Sequence, residues 1–588
     1  MFLITTADQD FWKTDETILF LGEWCKIFDR KPLWSELRYT VLPYHWDDRK
    51  MMYQDYLYLD RVNEKYLPLL SEKLNEIHDV NYSSKYWRIV AGLWLYQFIE
   101  IVFDRYLSIK NATRTDHISD TWICPYDSKR WIPTDIPDFI QYYCSDEYNH
   151  YLYSRIIQTL GELPFSIVES KPKPTGIINP AKTHDSAVMR NIRKLYNYCS
   201  KYSLSRTNQV VFVETYLDHR DSIQLQLSLG QIPFFEFPYA NIECDQTNLT
   251  LRKKMVFNSV GKNEFESILD WLIAEQIPRV YVEGYSDLHK CALDSFPEHP
   301  KAILTANAYN GQTLFQLWAA YQVERGAKLI GMQHGGHYGC GLWSASESHQ
   351  IRICDRFYTW GWESRDAPNI RPLSTGKFNQ VKNNVSPDPN GTVLMVSGSL
   401  PRYSYWMYSI PVGPQMLNYI NDQYRFIQSV SVGVFEKLLV RLYPFDFGWN
   451  ESSRYRETFP TLKQYMGEKT IYKQLNESRL FIGTFNTTTY LETFAANFPT
   501  VLFWDPKYWE LRPSAQPFFD ELRTVGILHD TPESAAKKVN EIFTDPLTWW
   551  NQDDIQKVLK KFSHQFLRTS SDWRVEWKRE FLQILNET

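Results

Sequence analysis

The 588 residues are enough for two or three domains, each with a sizeable core. A net charge of −5 without a long basic run excludes the electrostatic footprint of a nucleic-acid binder. The eight cysteines are scattered and form no Cys-x-x-Cys pair, which excludes a thiolate zinc site or a disulfide framework and points to reduced thiols.

The opening residues, MFLITTADQDFW, lack the basic start of a signal peptide, and Phe2–Thr5 and Ile18–Gly22 read as short strands. Residues 46–108 read as two long helices: Leu59, Val62, Tyr66, Leu70, Leu74 and Ile77 keep helical spacing, and Tyr86–Leu107 has a denser apolar face. The longest apolar run, Ile89–Phe103, contains Gln97 and Glu100 and falls short of a membrane span. A soluble, cytoplasmic protein is expected, with 1–205 a helix-rich region belonging to the domain that follows.

From about residue 206 to 385, strand and helix alternate, which predicts a parallel sheet. Strands are expected at Val210–Glu214, Arg279–Glu283, Ala302–Thr305, Lys328–Gln333 and Arg356–Trp360. Ligands of such sheets bind at the carboxyl ends of strands, so the strand ends nominate the chemistry. Glu283 is a candidate general base or nucleophile, and Glu214 and Asp218 are reserve carboxylates. Asn307 follows the third strand. Gln333-His334-Gly335-Gly336-His337 follows the fourth, where the glycines admit close backbone approach and the histidines can donate protons or partner an anion.

Residues 371–392, rich in Pro, Asn, Ser and Gly, read as a linker. A second series (386–560) follows, with strands at Val393–Ser397, Lys437–Leu442, Leu480–Ile482, Thr500–Trp504 and Gly526–Leu528. Ser397-Gly398-Ser399 with Arg402, and Arg441-Leu442-Tyr443-Pro444, close the first two. The third runs into Gly483-Thr484-Phe485-Asn486-Thr487-Thr488-Thr489 and a helix. A hydroxyl-rich turn ahead of a helix places N–H groups and a positive helix end beneath an anion, so a phosphorylated, nucleotide-activated small molecule is the expected ligand. Glu492 either completes a capping box with Thr489 or holds ribose hydroxyls. In the tail (561–588), Trp573, Trp577, Phe581 and Ile584 make one apolar stripe that needs a surface to cover.

No Gly-x-x-x-x-Gly-Lys-Ser/Thr loop, Gly-x-Gly-x-x-Gly after a strand or His-Glu-x-x-His helix occurs, and no Asp-x-Asp stands in a metal-binding context. The expectation is a metal-independent transferase without a cofactor beyond its activated donor. The fold class expected is α/β, with two Rossmann-like domains facing a cleft and a tail helix packing back.

FLITTADQDFW, FLGEWC, LPYHWDDR, GMQHGGHYG and GTFNTTTYLETFAANFPTVLFWD together resemble a bacterial transferase family of surface-polysaccharide (O-antigen and capsule) loci, over most of the chain. More distantly, the plan resembles GT-B glycosyltransferases that use CMP-activated ulosonic acids of the Kdo or pseudaminic type. That resemblance implies a nucleotide held by a His-Pro turn and a Ser/Thr turn in the second domain. Thr487-Thr488-Thr489 matches the latter, whereas Tyr443-Pro444 stands where the histidine would be. It also implies Glu283 and His334 as catalytic carboxylate and histidine, with Asn307 where an aspartate is expected. Ser397, Ser399, Arg402, Arg441, Tyr443, Thr484, Asn486, Thr487–Thr489 and Glu492 would hold the donor, and Gln333, Gly335, Gly336 and His337 would face the acceptor. The implied partners are a nucleotide-sugar donor and a glycan or lipid-linked glycan, the latter bringing the protein to the inner membrane face. A CDP-polyol phosphotransferase of the teichoic type and a non-catalytic assembly scaffold are the alternatives.

Overall fold

The computed structural model describes residues 1–587 apart from 126, 128, 170–208, 235–243, 245, 258–262 and 468. The domain boundary expected at residue 205 therefore lies outside the described residues. The architecture is mixed α/β, built on three parallel sheets.

The first sheet corrects the expectation of a merely helix-rich N-terminal region. Phe2–Ile4 (β1), Ile18–Phe20 (β2), Tyr39–Val41 (β3), Asp120–Ile123 (β4) and Ser166–Ile167 (β5) order as β3-β2-β1-β4-β5, all parallel. None exceeds four residues, too few for a period to register. Beyond this sheet the helices Arg49–His78 and Leu93–Thr113 pack on each other, and the helix Asp146–Leu160 joins the second of them to β4. The first is capped by the Asp48 carboxylate, which accepts from the Lys50 and Met51 amides. It buries Leu59, Val62, Tyr66, Leu70 and Leu74, as their spacing predicts.

The second sheet comprises Val210–Val213 (β6), Ala302–Thr305 (β7), Lys328–Met332 (β8), Arg356–Thr359 (β9) and Ile370–Pro372 (β10), in the order β10-β9-β8-β7-β6. The strand expected at Arg279–Glu283 does not form. Arg279–Tyr281 is a 3-10 turn leading into the helix Tyr285–Ser295. Its Val280 and Tyr281 are buried as strand residues would be, but the Arg279 and Val280 amides bond to the Pro133 and Thr134 carbonyls rather than to a strand. The stretch read as a linker is partly ordered, carrying β10 and the helix Lys377–Asn384.

Thr392–Val396 (β11), Leu438–Arg441 (β12), Lys463–Tyr465 (β13), Ser478–Gly483 (β14), Thr500–Phe503 (β15) and Leu528–His529 (β16) make the third sheet, ordered β13-β12-β11-β14-β15-β16. All its pairs are parallel. The chain then returns. The helix Trp573–Glu587 lays Trp573, Trp577, Phe581 and Ile584 on Val210, Phe212, Leu304, Ile330 and Tyr358 of the second sheet.

The N-terminal unit also grips the segment that follows β11. Arg49 makes a two-pronged ion pair with Glu510 (2.7 and 2.9 Å) and reaches the Ile410 carbonyl and Gln415. Glu100 accepts from the Met407 amide at 3.1 Å, and Arg105 donates to the Ser404 carbonyl at 2.7 Å.

Candidate functional site

The carboxyl ends of β11, β12 and β14, with the pinned segment after β11, enclose a cavity of about 570 Å³. Ser397, Ser399, Arg441, Tyr443, Asn486, Thr487, Thr488 and Thr489 line it from the third sheet, and His337 from the second. Tyr405, Tyr408, Met416 and Trp509, which sequence reasoning missed, complete the wall. The segment carrying the first three has no periodic pattern, and contacts with the N-terminal unit shape it.

The helix Thr488–Ala495 points its amino end at this cavity. Thr487 is its N-cap, with an extended backbone (φ −138°, ψ −167°), yet no side chain caps the first turn. The expected Thr489–Glu492 capping box does not form, because the helix begins at Thr488 and Glu492 sits inside it. Glu492 does not line the cavity: it accepts from the Tyr472 hydroxyl at 3.2 Å and lies 3.6 Å from the Lys377 ammonium. Burial raises its pKa above the usual glutamate value. The open first turn leaves backbone donors and a positive helix end facing the cavity.

Arg441 ends β12 at the cavity wall. Its guanidinium donates to the Lys469 carbonyl at 3.0 Å and to Gln474, and no carboxylate pairs with it among the described residues. Burial lowers its pKa somewhat. Tyr443, 42% exposed, continues the wall to the mouth, where its ring lies 5.9 Å from Phe447 in a near-parallel stack. Below Ser397 sits a group that sequence reasoning missed. The Ser397 hydroxyl donates to the Glu451 carboxylate at 3.3 Å, and burial lifts that carboxylate's pKa to about 7.

Several expected donor ligands are instead fixed in the framework. Thr484 is buried, donates to the Val396 carbonyl at 2.8 Å and contacts the Tyr419 hydroxyl at 2.6 Å; that hydroxyl also receives the Gly398 amide. This linkage ties the β14 turn to the β11 turn. Asn486, also buried, accepts from the Tyr490 hydroxyl at 3.0 Å, so it braces the turn from within. Arg402 is away from the cavity: it pairs with Asp146 at 2.8 Å and donates to the Trp24 carbonyl, joining the N-terminal unit to the third sheet.

Across the cleft, the loop after β8 meets the threonine turn directly. The Gly336 amide donates to the Thr488 hydroxyl at 3.0 Å, and a Cβ on Gly336 would lie 2.6 Å from the Thr487 carbonyl oxygen. Only glycine fits there. Gln333 is buried behind the loop rather than facing a ligand, with its carbonyl oxygen taking the Trp360 amide and the Trp362 indole and its amide bonding the Gly335 carbonyl. His337 contacts the Ser344 hydroxyl at 3.4 Å, and burial pulls its pKa down to about 3. His334 turns to the sheet edge, its pKa pulled to about 4 by burial. Both imidazoles are neutral at pH 7, which corrects their reading as anion partners by charge.

Asn307 does follow a strand, and its amide nitrogen lies 3.5 Å from the Tyr216 hydroxyl. Glu283 does not follow one. It is buried in a two-pronged pair with Arg252 (2.8 and 2.7 Å), also accepts the Asn248 amide, and is absent from the cavity wall. With both oxygens engaged by Arg252 and no place on the cavity wall, Glu283 is not positioned to act there, and its expected catalytic role is withdrawn. Among the described residues no group of three or more His, Cys, Asp or Glu is arranged to hold a metal ion, and no helix is long and apolar enough to cross a membrane.

A family profile described as "LIC12162 family transferase" matches residues 1–581. No curated protein matches the chain. Among solved structures, one described as a UDP-N-acetylglucosamine 2-epimerase from Listeria monocytogenes is 9% identical, covering 63% of this chain and 85% of its own at a TM-score of 0.33. The spinosyn rhamnosyltransferase SpnG, complexed with spinosyn aglycone, is 11% identical, covering 64% of this chain and 100% of its own at a TM-score of 0.29. At these scores neither bears on the chemistry.

Proposed function

The chain belongs to the LIC12162 family of transferases, and on that premise we propose that it is a glycosyltransferase moving a sugar from a nucleotide-activated donor to a glycan or its lipid-linked precursor. One observation carries the reading: the uncapped helix at Thr488, the threonines Thr487–Thr489 and Arg441, which no carboxylate among the described residues pairs, all line one cavity. Donor phosphates would take the helix end and Arg441, with Tyr443 and Phe447 at the mouth available to stack on the base. As the sugar–phosphate bond breaks, charge builds on the departing phosphate, and fixed donors already aimed at it lower the barrier. His337, neutral and on the same wall, would contribute a hydrogen bond rather than a charge. A CMP-linked donor, such as a nonulosonic acid, heads the panel by resemblance, and a lipid-linked acceptor would bring the protein to the inner face of the membrane.

The test is ligand-observed NMR of the purified protein against CMP, CDP, UDP and GDP, with Arg441→Gln and Thr489→Val as controls. Binding of one nucleotide that weakens in both variants supports the reading. If none binds to folded protein, the donor site is wrong and a non-catalytic scaffold becomes the better account.

A further inference from the structure

Three adjacent strands of the second sheet, β6, β7 and β8, end side by side, and each is followed by a polar residue: Glu214, Asn307 and His334. Tyr216 lies across the last two. Its ring is parallel to the His334 imidazole, with centroids 6.0 Å apart and planes 7° apart, while its hydroxyl is 3.5 Å from the Asn307 amide nitrogen. The backbone needed to bring it there is unusual. Glu214 (φ 44°) and Tyr216 (φ 55°) both adopt left-handed conformations, which non-glycine residues seldom adopt. Such strain gathers where a ligand must be met.

Beneath the tyrosine, the His334 Nδ1 atom is buried and makes no hydrogen bond of good geometry, the Ala306 backbone being the ring's nearest main-chain partner, while its Nε2 lies 3.4 Å from the Tyr338 hydroxyl. A buried polar atom so poorly matched is stabilised by a hydroxyl that reaches it. Tyr216 itself is 51% exposed, and what holds its ring over His334 besides the stack is the Asn307 amide and the Lys377 ammonium. The groups gathered here are an amide, a phenol, an uncharged imidazole and one carboxylate held by Gln312. The nearest cation, Lys377, stands over the Tyr216 ring with its ammonium 5.7 Å from the centroid and is engaged by Glu492 at 3.6 Å. With the one nearby ammonium turned to a carboxylate, that set suits neutral hydroxyls and an apolar ring face better than a phosphate.

We propose that Tyr216, Asn307, His334 and Glu214 form a carbohydrate subsite, in which Tyr216 swings off His334 to stack on a pyranose ring while hydroxyls of that ring bond Asn307, His334 and Glu214. Gly335 and Gly336 alone separate His334 from the contact with Thr488, so the subsite borders the cavity described above. Its assignment to the acceptor rests on the transferase reading, but its existence does not.

The experiment is saturation-transfer NMR on the full chain with methyl glycosides of glucose, galactose, rhamnose and N-acetylglucosamine, each run beside the four nucleotides. Signal from at least one glycoside, weakened about fivefold or more in Asn307→Ala and in Tyr216→Ala, as one lost hydrogen bond or stacking contact predicts, supports the subsite. Nucleotide binding in those variants reports separately on the donor cavity and confirms folding, with a thermal melt as the check where no nucleotide binds. Glycoside binding that both variants leave unchanged overturns the placement. Absence of any glycoside signal while a nucleotide binds overturns the subsite and leaves the transferase reading standing. Variant-sensitive glycoside binding without any nucleotide binding keeps the subsite and removes the transferase reading.

Discussion

The Gly336 amide donates to the Thr488 hydroxyl across 3.0 Å, joining the loop after β8 to the first turn of the helix after β14. Two motifs more than 150 residues apart in sequence are thereby in backbone-to-side-chain contact. The closeness depends on glycine, since the missing Cβ would sit 2.6 Å from the Thr487 carbonyl oxygen.

Gly336→Ala should therefore cost more than Thr488→Val. The first forces backbone against backbone, an overpacking penalty of about 1–3 kcal/mol. The second removes a hydroxyl and leaves one amide without its partner, about 1–2 kcal/mol. Thermal melts of both variants check the order. The alanine variant should also shift cleft resonances on both sheets, whereas shifts in the valine variant stay near the helix start.

Arg441→Gln should discriminate between ligands with and without phosphate. A charge-assisted hydrogen bond contributes about 1.5–3 kcal/mol, so a nucleoside monophosphate should bind about ten- to a hundredfold more weakly. The matching nucleoside, lacking the phosphate, should bind as it does to the wild type. Equal weakening of both, measured by titration calorimetry or NMR, would mean that Arg441 only shapes the wall through Lys469 and Gln474.

The third sheet was the most legible part of the chain because β11, β14 and β15 are mostly buried apolar runs, each closed by a turn, and β12 and β16 keep the strand–helix alternation going on either side. Its sixth, Lys463–Tyr465, is a half-exposed edge strand of three residues and gave no such signal. Of the N-terminal sheet only the first two strands, at Phe2–Ile4 and Ile18–Phe20, were legible, and β3, β4 and β5 were missed for the same reason of length. Arg279–Glu283 misled because burial alone cannot tell a strand from a turn packed under helices. In the site, the threonine turn and Arg441 were legible from position after a strand. Arg402 follows a strand equally well but turns away to Asp146, a contact no local pattern announces. Tyr216 and Glu451 were invisible as site residues, since one depends on two left-handed residues and the other on burial beneath Ser397.

Trp577 should hold the tail helix to the second sheet. It is 2% exposed, packs 4.9 Å from the Tyr358 ring and donates its indole N–H to the Ser374 carbonyl at 2.8 Å. Removing such a side chain costs about 3–5 kcal/mol. Trp577→Ala should shift the urea midpoint down and raise limited proteolysis at the tail, while Arg579→Ala on the exposed side of the same helix should do neither.

Glu451 gives a pH dependence whose sign follows from its burial. Its folded pKa is about 7, raised chiefly by desolvation, against about 4.3–4.5 when unfolded. Between those values the folded chain holds a proton that the unfolded chain has released, so this group makes stability fall as pH rises from about 4.5 to 7. The full penalty at pH 8 is on the order of 3 kcal/mol. Glu451→Gln keeps an oxygen for the Ser397 hydroxyl and cannot ionise. The variant should match the wild type in thermal stability near pH 4.5 and exceed it progressively toward pH 8. Parallel wild-type and variant curves across that range would mean that Glu451 is not the group that titrates. Because Ser397 lines the cavity, the same series run with a bound nucleotide would report whether ionisation at Glu451 reaches the ligand.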